Sequence, residues 1–226
     1  MNITPHENDF GAAIEGVDLS RALSAEEIQQ IRRAWLQHRV VYFPDQQMTH
    51  EQLEMFSQAM GPFGDDPYVQ AIDGHAHIVE VRREPDEDVP LFGGTWHSDW
   101  SFQQTPPNAT ILHAKIIPPV GGDTHYCDGV RAFASLDTAT QQRLQDLSAI
   151  HSARKPYSPE GVKAGGGDRR SMTLLPSDAA HNTQRHPMVR THPETGERAL
   201  WVNPLYTIGV DGLSQAEGEA LLSELF

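Results

Sequence analysis

Apolar residues recur at helical spacing twice in the first quarter of the chain. Ile28, Ile31 and Trp35 stand three and four apart behind Ser24-Ala25-Glu26-Glu27. In that tetrapeptide the Ser hydroxyl can accept from the third helical N–H while Glu27 reaches back to the cap. The pattern predicts a helix from there to about His38 with one buried stripe. Val40-Val41-Tyr42-Phe43, stopped by Pro44, is a β-branched and aromatic run of the kind that forms a buried strand. A second capped helix follows, with Thr49 and Gln52 as the box, Leu53, Phe56 and Met60 as the apolar face, and Gly61 as its stop.

Beyond Gly61 the pattern changes to short β-type runs separated by Gly/Pro turns: His77–Arg82, Ala109–Ile117, Thr124–Asp128, Ser148–Arg154, Val189–Thr191 and Ala199–Val202. Thr191-His192-Pro193-Glu194-Thr195-Gly196 predicts a turn between the last two, hence a hairpin. Asp137 can cap a short helix carrying Leu144 and Leu147, and Ser214 with Glu217 opens a last one carrying Leu221, Leu222 and Leu225. Tyr157–Asp168, rich in Gly, Ser and Pro, is expected to be a flexible excursion and a candidate lid. The sum is one domain spanning residues 1–226, mostly β with flanking helices.

Composition narrows the function. A net charge of −14, from 17 Lys and Arg against 31 Asp and Glu, repels phosphate backbones and anionic lipid, so no nucleic-acid partner is expected. No apolar run approaches a membrane span, and the mean hydropathy is −0.49. A single cysteine, Cys127, and an opening without a basic or apolar leader point to the cytoplasm. The acidity is uneven: residues 151–198 hold 8 Lys and Arg and 5 Asp and Glu, a segment to which an anionic small molecule could be drawn.

Twelve histidines raise the prospect of a metal site. The sharpest candidate is Thr95-Trp96-His97-Ser98-Asp99-Trp100-Ser101-Phe102. On an extended segment His97 and Asp99, two apart, point to one side. One imidazole nitrogen and one carboxylate oxygen can then meet a single ion, and a second His from elsewhere would complete a 2-His-1-carboxylate triad with positions open on Fe(II). Taken alone the His-x-Asp spacing is unspecific. Gly-x-Ser-x-Gly is absent, so nucleophilic hydrolysis has no motif behind it.

Several ordered blocks give that motif a context. They are Phe10-Gly11-Ala12-Ala13-Ile14-Glu15-Gly16-Val17-Asp18-Leu19, then His38-Arg39-Val40-Val41-Tyr42-Phe43-Pro44-Asp45-Gln46, then Phe56 to Gly61 and Trp96-His97-Ser98-Asp99. Pro118-Pro119-Val120-Gly121-Gly122-Asp123-Thr124 and His186 to Gly196, with Trp201-Val202-Asn203, complete the set. Over nearly its whole length the sequence resembles the taurine/2,4-dichlorophenoxyacetate dioxygenase (TauD/TfdA) family of Fe(II)- and 2-oxoglutarate-dependent oxygenases. The resemblance implies a double-stranded β-helix, or jelly roll, with Fe(II) as cofactor and 2-oxoglutarate and O₂ as co-substrates. A small, anionic organic substrate would be hydroxylated with release of succinate and CO₂. It assigns His97 and Asp99 to iron and Thr124 to 2-oxoglutarate, and puts Tyr68 and residues 84–95 at the substrate pocket; no further catalytic residue is assigned. Trp96 and Phe102 would pack the barrel wall. Arg154, Lys155 and Arg190 are candidates for pairing with an anionic substrate. Where taurine-specific relatives carry a His and an Asn, this chain has Asp65 and Gly93, which argues against taurine.

The resemblance also implies two residues that are missing. The family's second iron His and a later 2-oxoglutarate Arg fall past Phe226, so the jelly roll is expected to be incomplete at its C-terminal end, with strand edges and apolar surface uncovered. Neither His113 and His125 nor His186 and His192 take the absent ligand's role. The alternative is therefore a non-catalytic jelly-roll binding or scaffold protein, or an inactive fragment. Relatives often associate, so a homo-oligomer is also expected.

Overall fold

The two N-terminal helices form where their caps place them. In the computed structural model, which describes all 226 residues, α1 (Ala25–His38) and α2 (His50–Met60) both begin with reciprocal capping boxes, Ser24 with Glu27 and Thr49 with Gln52. Arg39, with φ 67°, ends the first by turning left-handed. Strands β1 (Asn2–Pro5) and β2 (Ala12–Glu15) pair antiparallel, and α1 carries the chain over to β3 (Val41–Tyr42), which lies parallel to β2. Parallel neighbours require such a crossover. Ile14, Val17, Leu19, Ile31, Ala34 and Phe56 bury themselves between helix and sheet. Ile31 is 1% exposed, and burial of a side chain of that size stabilises by roughly 1.5–3 kcal/mol. The Gln46 amide ties the loop after β3 to this core, accepting from Leu19 N at 3.0 Å and donating to Val17 O at 3.1 Å. Tyr42, expected in a buried strand, is 46% exposed, because alternation turns it away from the face that Val41 and Phe43 present to the core.

These elements belong to one of two compact units, Met1–Asp65 with Asp73–Ile78 and Ile111–Asp128. The other comprises Asp66–Ile72, Val79–Thr110 and Gly129–Phe226. Two short strands, β4 (Ala71–Ile72) and β5 (His75–Val79), come next in the chain.

The second unit is built on a three-stranded antiparallel sheet. After α3 (Gly129–Ala134) and α4 (Thr138–Gln145), strand β6 (Ser148–Ser152) runs through its centre. It is followed by α5 (Arg154–Tyr157), α6 (Pro159–Ala164) and the edge strand β7 (Thr183–Pro187), whose Gln184 stands opposite His151. A separate hairpin, β8 (Val189–Thr191) with β9 (Arg198–Leu200), closes around the predicted turn. The other edge is β10 (Thr207–Val210), and α7 (Gln215–Leu225) then covers the unit with Leu221 and Leu222 packed among Leu144, Ala149, Met188 and Val210. A second cluster, Tyr68, Val69, Phe102, Ala153, Tyr157, Met172, Ala180 and Tyr206, occupies the same unit. No helix is long and apolar enough to cross a membrane.

Three expectations are corrected. Ala109–Ile117 and Thr124–Asp128 form no strands, and Ile116 and Val120 are 92% and 88% exposed. A β-type run becomes a strand only where a neighbour offers a ladder of N–H and C=O groups, and no strand pairs with these segments. The Tyr157–Asp168 excursion is helical and fastened rather than loose. Pro159 opens α6 under the Ser158 cap, and Glu87 accepts from Ser171 N at 2.8 Å and pairs with Arg83 at 3.2 Å. Arg169 meets Asp88 at 2.9 Å, and Gly166, with φ 114°, passes so close to Val89 that a side chain there would collide. Trp96, expected against a barrel wall, is 53% exposed because residues 96–98 run outside any sheet and no barrel closes.

Candidate metal centre

His97 and Asp99 lie at the entry of a tight turn rather than on a strand. Ser101 N donates to Ser98 O at 3.3 Å, and Trp100 takes φ 48° in the left-handed region. The turn still delivers what the two-residue spacing promised: His97 Nε2 and Asp99 Oδ1 stand 3.1 Å apart. Adjacent ligands about 2.1 Å from an octahedral ion are roughly 3.0 Å from each other, so this pair matches one edge of such a site. The rest of each side chain is committed. His97 Nδ1 lies 2.7 Å from Thr95 O, which can only accept, so Nδ1 carries a proton, and Nε2, facing the Asp99 carboxylate, is the nitrogen whose proton a metal ion would displace. Asp99 Oδ2 accepts from the Thr110 hydroxyl at 2.6 Å, leaving Oδ1 to face the imidazole.

The pair also sets its own electrostatics. The bond to Asp99 raises the His97 pKa above its ordinary value against the opposing effect of burial, and the bond to His97 lowers that of Asp99. Asp99 is therefore ionised at neutral pH, as a hard-cation ligand must be. The Tyr206 ring meets His97 edge-on at 6.1 Å, and behind it Tyr68, Phe102 and Tyr157 stack into a dry wall. Burial pushes the Tyr157 hydroxyl well above its ordinary value, and Tyr68 moves in the same direction for the same reason, so both rings act here as neutral phenols.

Of the residues singled out from sequence, the structure joins His97 to Asp99 and places Tyr68 in the aromatic wall behind Tyr206. Thr124 belongs to the other unit, where it is exposed beyond the left-handed pair Gly121 and Gly122. Lys155 and Arg190 are engaged structurally: Lys155 Nζ donates to Pro204 O at 2.6 Å, and Arg190 lies over the Trp201 ring at 4.6 Å. No group of three or more His, Cys, Asp or Glu is arranged to hold a metal, so these residues supply two ligands and not a third. Thr110 and Tyr206 were missed by sequence reasoning. Each reaches the site through the fold, from 11 and 109 positions away from Asp99 and His97, and a lone Thr or Tyr carries no spacing signal.

A His–carboxylate pair beside an aromatic wall supplies two of the three ligands of the 2-His-1-carboxylate site of non-haem iron oxygenases. The comparisons with known proteins agree. The model of the family "Taurine catabolism dioxygenase TauD, TfdA family" matches residues 2–226, and the chain belongs to that family. An (S)-phenoxypropionate/alpha-ketoglutarate-dioxygenase of Sphingobium herbicidovorans is 30% identical over all of this chain and 78% of its own length. A Schizosaccharomyces pombe relative, also 30% identical, matches 96% of this chain, which spans only 55% of that protein. Among solved structures, a taurine dioxygenase from Burkholderia xenovorans superposes with a TM-score of 0.79 at 32% identity, covering 99% of this chain and 70% of that one. The jelly-roll fold class expected from sequence is thus borne out at the level of the family, although helices here hold more residues than strands.

Proposed function

We propose that this chain is an Fe(II)- and 2-oxoglutarate-dependent dioxygenase that hydroxylates a small anionic organic molecule. The observation that carries the reading is the convergence of His97 Nε2 and Asp99 Oδ1 at 3.1 Å, each fixed from behind by Thr95 and Thr110. Fe(II) held there would supply the oxidising chemistry that converts 2-oxoglutarate to succinate and CO₂ and inserts oxygen into a substrate C–H bond. The protein's part is orientation and exclusion of water. Thr95 fixes the imidazole tautomer, Thr110 orients the carboxylate, and the Tyr206, Phe102, Tyr157 and Tyr68 wall keeps one side of the site apolar. Thr124 is assigned to 2-oxoglutarate and Tyr68 to the border of the substrate pocket. The relatives' names specify an aryloxy carboxylate and an aminosulfonate, which share an anionic head on a small organic body. A substrate of that general kind, other than taurine itself, fits the presence of Asp65 and Gly93 at the positions discussed above. The two compact units are taken as parts of one catalytic domain, because a single family match runs through both. Cytoplasmic residence and self-association complete the reading.

The test is succinate release from 2-oxoglutarate in the presence of Fe(II), O₂ and a panel of phenoxy acids, sulfonates and sulfate esters. With two protein ligands the expected turnover is small, and it rises when free imidazole fills the open ligand position. Asp99→Ala abolishes it. No succinate under either condition contradicts the dioxygenase reading and favours a binding protein.

A further inference from the structure

Behind the metal-binding turn lies a buried polar network that the proposed reaction does not use. Ser101, two residues after Asp99, is 0% exposed. Its hydroxyl accepts from Asn203 Nδ2 at 3.1 Å and lies 3.0 Å from His151 Nδ1 on the central strand β6. His151 is itself 0% exposed, and burial pushes its pKa down to about 4, so it is a neutral imidazole at physiological pH. Asn203 is bound on every side: its Oδ1 accepts from Tyr206 N at 2.8 Å, and its own N–H donates to Thr207 Oγ1 at 3.0 Å. One side chain thus anchors both the turn that presents Asp99 and the segment that sets Tyr206 against His97.

The turn needs such an anchor. A left-handed conformation at a bulky aromatic residue such as Trp100 is a strained state that persists only where its surroundings enforce it. Three bonds enforce it here, one from the Trp100 indole to Asp66 Oδ2 at 3.2 Å and two that tie the Ser101 hydroxyl to His151 and Asn203. A hydroxyl left unpaired at so buried a position loses its water without a replacement partner, which makes the Ser101 bonds hard to give up.

We infer that His151, Ser101 and Asn203 form a positioning network that sets the separation and orientation of His97 and Asp99 for metal binding. This rests on the reading of that pair as metal ligands. The network touches neither the ion nor substrate; it acts through the Ser98–Ser101 turn. The probe is Co(II) alone, titrated into the 226-residue chain by visible absorption, beside the thermal midpoint of each variant. Ser101→Ala and His151→Leu are expected to raise the Kd for Co(II) by about tenfold or more, the scale of losses seen when groups orienting metal ligands are removed. His151→Asn, whose amide can reach the place of Nδ1, is expected to stay within about twofold of the unaltered chain.

The control is Ser152→Ala. Ser152 is an equally buried hydroxyl next to His151, but it bonds to Ala180 O at 2.8 Å, outside the network. It should lower the thermal midpoint and leave Co(II) affinity unchanged. Unchanged affinity in Ser101→Ala and His151→Leu, or an equal loss in Ser152→Ala, overturns the inference. An unaltered chain that takes up no Co(II) overturns the metal assignment itself, and the inference falls with it.

Discussion

His151 offers the most quantitative prediction. In the unfolded chain it titrates near its ordinary 6.5, and in the folded chain burial, reinforced by His186 and Arg190, holds it at about 4. Its folded pKa is depressed, so the unfolded state binds more protons throughout the interval between those values. Stability is therefore lost as pH falls below about 6.5, and the loss levels off near pH 4. The separation from 6.5 to about 4 corresponds to roughly 2 kcal/mol of stability lost between pH 7.5 and pH 5. Other groups titrate over the same range, and comparison with His151→Asn removes their contribution. Urea unfolding of both proteins at the two pH values should show the unaltered chain losing about 2 kcal/mol more than the variant, a relative midpoint shift on the order of 1 M. A difference between the two proteins that stays constant with pH would refute the reasoning. It would mean that His151 is solvated in the folded state or already shielded in the unfolded one.

Other expectations follow from packing and charge. Met188 is 0% exposed in the core beneath α7, so Met188→Ala should cost about 2–5 kcal/mol in urea unfolding. Gly166→Ala introduces a Cβ 2.7 Å from Val89 Cβ at a φ of 114°, and the strain and collision together should cost roughly 2–4 kcal/mol by the same assay. Glu87→Ala should speed amide exchange or proteolysis in residues 82–89 and 169–171 together, since that carboxylate joins the two segments; protection lost in only one of them would contradict the joint clasp. Metal affinity should weaken as pH falls through the raised pKa of His97, because the ion and the proton compete for Nε2; a pH-independent Kd across that interval would contradict His97 as a ligand.

What the sequence made legible was governed by local physics. Reciprocal capping boxes placed the starts of α1, α2 and α7 to the residue, because each is closed within four positions. The β8–β9 hairpin was equally readable from its turn. By contrast, β1, β2, β7 and β10 were missed, since Asn2–Pro5 and Thr183–Pro187 are polar edge strands without alternation and owe their structure to a partner. Ala109–Ile117 shows the converse error, β-type residues with no partner strand to pair with. The site divides along the same line. The His97 and Asp99 spacing was visible in two residues, although a turn and not a strand brings them together. Their supports, Thr110, Tyr206, His151 and Asn203, arrive from distant positions and bear no mark in one dimension.

The most direct test of the account is an anaerobic calorimetric titration of Fe(II) into the chain, His97→Ala and Asp99→Ala. The account predicts one weak site in the unaltered chain and none in either variant. Equal Fe(II) binding by all three would place the metal elsewhere and contradict the assignment of His97 and Asp99.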